Sequence, residues 1–396
     1  MRGKVQRKFN VSPPREERSP SPLNGERGGN VVVRSNISNA FGKTAPHPQS
    51  LSPLRGEGSR KRTLVAITVF AALGCALIVP MKAASIEKSE FIFEHAPFRS
   101  CHASTVAETR SGLIAAWFGG SSEGKPDVTI WSARHDGTNW SAPAEVANGV
   151  QTNGTRFPCW NPVLFQSANG ALLLFYKVGP SPSKWWGMLI RSDDSGRTWS
   201  QPQRLPENIL GPIRAKPVMI GDHLWCGSST EHNGWRIHVE FTSDLGKTWT
   251  RTDALNGGKE FGAIQPTILP WSSQRVQLLC RSRQGRVVET WTEDGGKTFS
   301  PLHATEMLNP STGVDSVFLK DGRALFVYNN TTRGRTPLSI DASSNATNWT
   351  HALTLEDEAG EYSYPAMIRT SDDRVHVTYT WKRERIKHVV LKFSNQ

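Results

Sequence analysis

Cysteine and tyrosine are scarce, with five of each in 396 residues. The cysteines match no metal-ligand spacing, and no Gly-rich phosphate loop or dinucleotide fingerprint occurs, so the sequence implies neither metal nor cofactor. A sustained helical period is also lacking, which excludes helix bundles and alternating βαβ folds. Only one long apolar run exists, from Thr63 to Pro80. Balanced charge is missing too, since the chain carries a formal +12. That excess is confined to one end: residues 1 to 84 hold 14 Lys/Arg against 4 Asp/Glu, whereas the remainder holds 33 against 31. A near-neutral body offers no electrostatic footprint for nucleic acid.

What is present divides the chain in three. Residues 1–59 are rich in Ser, Pro, Gly, Asn and Arg and have no apolar period able to bury a core, so they read as a disordered basic leader with a start codon called too early. In 60–85, Arg60-Lys61-Arg62 precedes the apolar run and the small residues Ala83-Ala84-Ser85. This is the order of a secretory signal, which predicts export to the periplasm or outside the cell with no membrane span after cleavage. An uncleaved anchor is the competing reading. Residues 86–396 form the body, expected to be a monomer. Its Cys101, Cys159, Cys226 and Cys280 suit either two disulfides or four buried thiols.

The body reads as short strands broken by Gly, Asn, Asp and Ser turns, overlaid by a 50-residue repeat. Ser192-Asp-Asp194-Ser-Gly196-Arg-Thr-Trp199 returns as Thr242-Ser-Asp244-Leu-Gly246-Lys-Thr-Trp249 and as Thr292-Glu-Asp294-Gly-Gly296-Lys-Thr-Phe299, with worn copies ending at Trp140 and Trp349. Such a period predicts an all-β fold, a β-propeller of four-stranded blades. Five anchors plus a last blade closed by both chain ends suggest six blades, with seven as the alternative. In each motif the Ser/Thr and Asp side chains are expected to bond turn backbone, Gly to supply a positive φ and the aromatic to cap the blade interior, on the face away from any site.

These three motifs resemble the Asp boxes of the sialidase (neuraminidase) superfamily, and the likeness, of the predicted-neuraminidase type, extends over most of 90–396. The resemblance implies an arginine grip on a sugar carboxylate. Arg99 in Phe98-Arg99, Arg281 in Leu278-Leu-Cys-Arg and Arg335 in Thr332-Arg-Gly-Arg resemble the three family arginines. Tyr364 in Gly360-Glu-Tyr-Ser-Tyr-Pro365 resembles the family's tyrosine nucleophile, with Tyr362 the near alternative. Where the family has the glutamate that activates this tyrosine, the chain has Gln265, which cannot accept a proton, so Glu361 and Glu231 become candidate bases. In Gly119-Gly-Ser-Ser-Glu123-Gly-Lys-Pro-Asp127, Glu123 is the candidate general acid and Asp127 matches the family's aspartate at a strand start. His102 falls where a side chain should face the central funnel, as a contact for a glycan hydroxyl or an acid/base. Trp160, Trp185, Trp186 and Trp235 are candidate sugar-stacking walls and Lys216 a further anion contact.

The expectation that follows is an exported exo-glycosidase acting on terminal acidic sugars of an oligosaccharide or polysaccharide. A lyase acting on uronate-containing glycans and a non-catalytic glycan-binding propeller are the two alternatives, the latter favoured by the missing glutamate.

Overall fold

Some strands of this chain are buried on both faces. Leu172–Val178 and Val276–Ser282 are buried at every residue, as is required of strands held between neighbouring sheets. In the computed structural model, which describes residues 84–393, 24 strands form six four-stranded antiparallel sheets. Blades 1 to 5 follow chain order over 100–147, 159–204, 218–251, 263–308 and 315–356. Blade 6 takes three strands from 362–392 and its outermost strand, Ser85–Phe91, from the other end of the chain. That strand pairs antiparallel along Arg385–Lys392, from Ser85 opposite Lys392 to Phe91 opposite Lys387. This closure yields the six-bladed propeller that the repeat predicts, and it explains why there are only five turn anchors: blade 6 has no turn between its third and fourth strands.

The first strand of each blade lies innermost; the first strands of blades 4, 5, 6, 1 and 2 pack on one another in turn around the axis, and in blade 3 the second strand meets the first strand of blade 4. Outermost strands shrink to two residues at Gln203–Arg204 and Thr250–Arg251, which leaves little free edge for unwanted pairing. Between blades the core is a series of apolar wedges: Ile114, Leu164, Leu174 and Ile190 between blades 1 and 2, and Leu325, Ile340, Val377 and Leu391 between blades 5 and 6.

The recurring aspartate turns show why their sequence recurs. Asp194 Oδ1 accepts the backbone N–H of Arg197 (3.0 Å) and Thr198 (2.8 Å) and the Ser192 hydroxyl (2.8 Å), while Oδ2 takes the Thr198 hydroxyl at 2.6 Å. Gly196 holds φ at 81°, and its N–H reaches Ser192 Oγ at 2.8 Å. The same set of bonds recurs at Asp244 and Asp294. Trp199, Trp249 and Phe299 lean on the wedges beneath. All four body cysteines are buried free thiols, in accord with the thiol reading rather than the disulfide one. Among the described residues no helix is long and apolar enough to cross a membrane. The leader and signal read from the sequence lie outside the described residues, apart from Ala84 and Ser85.

Candidate active site

Antiparallel order dictates which loops meet. The start of a blade's first strand, the loop between strands two and three, and the end of strand four share one face, while the turns between strands three and four share the other. The aspartate turns are of the latter kind. Every loop described below is of the former.

On that face the inner strands kink in a repeated way. Pairing register shifts between His102 and Thr105 in Ser100–Thr109, Trp160 and Val163 in Cys159–Gln166, Ile264 and Thr267 in Ala263–Pro270, and Ser363 and Ala366 in Tyr362–Arg369. At each break one non-glycine residue takes a positive φ: Ala103 (56°), Asn161 (40°), Gln265 (57°) and Tyr364 (53°). Bulges of this kind re-aim a side chain, and strained backbone of this kind collects at functional sites. Pro162, Pro266 and Pro365 follow three of the four, removing the N–H that a regular ladder would use. In blade 3 Arg214 plays the same part, with φ 77°. Blade 5 offers Gly313 beside them; a Cβ there would stand 3.2 Å from the Tyr364 ring and 3.1 Å from Arg214 Nε.

These side chains and the neighbouring loops enclose a central cavity of about 250 Å³, whose walls include Glu123, Glu231, Arg281, Arg335, Tyr364 and Arg383. Arg281, near the end of the second strand of blade 4, donates through Nη1 to the Tyr364 hydroxyl and to Gln265 Oε1 at 3.2 Å. Its Nε is buried without a partner, and its guanidinium also lies 5.0 Å from the centre of the Trp235 ring. Arg335, before the third strand of blade 5, donates to Glu361 Oε1 at 2.9 Å and Ser363 Oγ at 3.0 Å. Arg383, in the hairpin of blade 6 with φ 62°, bonds Glu361 Oε1 through Nε at 2.5 Å and Glu123 Oε2 through Nη1 at 2.6 Å. Arg214, Arg281 and Arg335 all stand 5.5–5.6 Å from the centre of the Tyr364 ring. A tyrosine enclosed by three guanidiniums defines an anion-seeking pocket.

The carboxylates divide into two kinds. Glu123 and Glu361 are ion-paired to the arginines. Burial pushes the carboxyl of Glu231 above its ordinary range, outweighing the downward pull of Arg281, Trp235 and Arg283. Glu231 therefore holds its proton to higher pH than a free glutamate, the condition for a general acid.

The remaining sequence candidates fall as follows. Arg99 is exposed one residue before the first strand of blade 1 and is not among the residues lining the cavity. His102, expected in the funnel, instead lies behind Tyr364, with ring centres 4.0 Å apart, and donates to or accepts from Thr380 Oγ1 at 2.9 Å. Burial, reinforced by Arg383, Arg335, Arg214 and Arg281, holds its imidazole well below the usual range, so it is neutral and supports Tyr364 rather than meeting ligand. Asp127 accepts Ser121 N–H and Oγ–H, both at 2.8 Å, and so closes the loop that carries Glu123. Lys216, read as an anion contact, is spent on buried Asp315 at 3.1 Å. Tyr362 is buried with Met367 and Tyr379 between blades 5 and 6. Trp160 and Trp185 line the cavity.

Three participants escaped the sequence reading: Arg383, Arg214 and Asn161. Arg383 sits in Lys382-Arg-Glu-Arg385, a charged hairpin that reads as solvated. Asn161 did leave a signal, because Asn161-Pro162, Gln265-Pro266 and Tyr364-Pro365 recur 104 and 99 residues apart, two blade periods each. Among the described residues no group of three or more His, Cys, Asp or Glu is placed to hold a metal.

Fold and site together define a six-bladed propeller with an arginine-lined cavity at the end of its axis. The chain belongs to the BNR repeat-like domain family, which matches residues 111–377. No curated protein matches it. Among solved structures it is similar to a protein of unknown function from Dyadobacter fermentans DSM 18053, with 17% identity and a TM-score of 0.65 over 79% of this chain and 100% of that one. It is similar also to the Hadza microbial sialidase Hz136 (18%, 0.63, 76% of this chain and 68% of that one) and to the NanB sialidase of Streptococcus pneumoniae (12%, 0.61, 76% and 70%). At such identities the likeness carries the fold.

Proposed function

We propose that the central cavity is the active site of an exo-acting glycoside hydrolase that removes a terminal acidic sugar, sialic acid or a related uronic or ulosonic acid, from a glycan. The observation that carries this reading is the convergence of Arg281, Arg335 and Arg383, from blades 4, 5 and 6, on one cavity beside Tyr364. A planar carboxylate is met by guanidinium forks. Glu361 and Glu123 fix two of these forks in place. Arg383 takes the part that the family resemblance assigned to Arg99.

In the reaction, the glycosidic C–O bond breaks as Glu231 gives its proton to the leaving oxygen. Tyr364 Oη then bonds the anomeric carbon as its own proton passes to Glu361. In the second half water attacks the anomeric carbon as Glu231, now the base, takes its proton, the bond to Tyr364 Oη breaks, and Glu361 returns the proton to the tyrosine. Gln265 orients Arg281 and takes no proton. His102 gives Tyr364 an uncharged backing.

One observation favours a second reading, uronate elimination: the Tyr364 oxygen is bonded by an arginine, with Gln265 where a carboxylate would stand. There Tyr364 would take the proton α to the carboxylate as the C4–O bond to the neighbouring sugar breaks and Glu231 protonates the departing oxygen, leaving an unsaturated sugar. Incubating the full chain with fluorogenic sialosides, uronides and ulosonides tests both. Release of the fluorophore without new ultraviolet absorbance supports hydrolysis; a new absorbance of the unsaturated product would replace it with elimination, and binding without turnover would leave a lectin-like propeller. The reading includes export as a monomer, supported by the charge, apolar core and small-residue order of 60–85. Recovery of mature protein from the periplasm or medium checks it.

A further inference from the structure

A second, larger cavity of about 490 Å³ opens on the same face, between blades 2 and 3. Pro182 and Trp185 belong to the walls of both cavities. Trp185 meets Trp160 of the central cavity edge-on at 6.0 Å, so it stands as a single ring between the two spaces, and a chain leaving the central cavity past it enters this groove.

The groove is cationic and aromatic. Lys184, Arg204, Arg236 and Arg251 line it against Glu207 and Asp253. Among the described residues none of these four cations is ion-paired, whereas Arg275, Arg286, Arg374 and Arg385 elsewhere on the body each hold a carboxylate. Arg236 Nε is buried with no partner, a donor left waiting in a desolvated place. The Arg204 guanidinium lies 4.9 Å from the centre of the Trp186 ring, within reach of a cation–π contact. The floor is rigid: buried Glu240 accepts the N–H of Leu210 at 3.0 Å and of Gly211 at 2.6 Å, and is itself bonded by His238 at 2.8 Å. A rigid groove with stacking rings and unpaired cations fits a glycan that is itself acidic.

We propose that this groove is a subsite for an anionic sugar further along the chain, so that the protein takes acidic oligosaccharides in preference to glycans with one acidic end. The proposal rests on the central-cavity reading for its direction of entry, and its own chemistry is separate. Arg204, Arg236 and Arg251 would pair the carboxylate or sulfate of the second or third sugar, and Trp185 would stack on the sugar between.

The test is a chain-length series, measured by calorimetry on the full chain with α2,8-linked oligosialic acids and oligogalacturonides of one to five residues, and with neutral malto-oligosaccharides as control. Affinity is expected to rise about tenfold or more from monomer to pentamer for the acidic series alone, with that gain shrinking as salt is raised. The double variant R204Q/R251Q is expected to keep monomer affinity and to flatten the series to within about threefold. Should the variant misfold by its melting curve, the salt dependence of the unmodified chain decides instead. Monomer binding with no gain on lengthening overturns the groove and leaves the central cavity standing. An equal gain for neutral chains overturns its anionic character. If no monomer binds, the central reading falls, and the groove is judged by whether the acidic pentamer binds in a salt-dependent way that R204Q/R251Q abolishes.

Discussion

On one face of the propeller, Asp194 is satisfied entirely by Ser192, Arg197 and Thr198, all within seven residues. On the other, Arg383 is held by Glu361 of its own blade and by Glu123, 260 residues away. Both faces are made from the same 50-residue unit, yet one neutralises its charge inside each turn and the other pools charge from several blades. Local satisfaction gives three independent clips for the scaffold, at Asp194, Asp244 and Asp294. Pooling leaves donors, such as Arg281 Nε, with capacity for a ligand.

If this division of labour is correct, substitutions on the two faces separate activity from stability. The largest effect is expected from Arg281→Ala, which removes the donor to Tyr364 Oη and to Gln265: kcat/KM should fall about 10²- to 10³-fold with little change in melting temperature, as for other lost charge-stabilising donors. A melting temperature that collapses along with activity would make Arg281 a scaffold residue and blur the two faces. Arg281→Lys retains charge but not the fork, and its loss should appear mainly in KM.

Glu231→Gln comes next, with kcat reduced about 10²-fold. Because burial raises the folded pKa of Glu231, its contribution to stability is present below the free-glutamate value and is lost as pH rises through the raised value. At neutral pH the carboxyl is therefore a liability, and Glu231→Gln should raise the melting temperature there while leaving it unchanged in acid. The activity of the unmodified chain should fall on the alkaline side as Glu231 ionises. A melting temperature lowered at neutral pH would show instead that the charged form is the stabilising one.

On the opposite face, Asp244→Ala is expected to cost about 1 to 3 kcal/mol of stability by chemical denaturation and to leave kcat/KM unchanged. Burial acts to raise the Asp244 carboxyl, but bonds from Thr248 N–H, Thr248 Oγ–H and Thr242 prevail and hold it well below the usual range. That stability is present above about pH 4 and is lost as pH falls through the lowered value, so the cost of the substitution should shrink in acid. Abolished turnover with unchanged melting would reverse the assignment of the faces.

The smallest effect sharpens the arginine grip itself. Arg99 is exposed outside the cavity whereas Arg383 lines it, so Arg99→Ala should change KM by less than about threefold, against a rise of about tenfold or more for Arg383→Ala. Equal effects from the two would return Arg99 to the site.

The difference between the faces also governs what could be read beforehand. The aspartate turns were legible because each is closed by bonds spanning at most six residues, so spacing alone carries the geometry. Arg281, Arg335 and Tyr364 were legible through their likeness to the motifs of a known family, and the missing carboxylate at Gln265 was legible through the same likeness. Arg383 was not, because a basic hairpin looks the same whether it points to solvent or to a neighbouring blade. His102 was placed on the right strand but on the wrong side of Tyr364. A one-residue bulge, with Ala103 at φ 56°, exchanges which side chain meets the cavity.

By itself, then, the sequence determined a propeller of four-stranded blades, its closure by both ends of the chain and the face that carries the aspartate turns, since these follow from local hydrogen bonding and a fixed period, while the choice of six blades over seven came with the structure. Tertiary structure alone decided which arginines share the cavity, which glutamate is buried enough to keep a proton, and that a cationic groove shares Trp185 with it. Those properties depend on loops from separate blades brought together by ring closure, and on bulges that turn single residues inward.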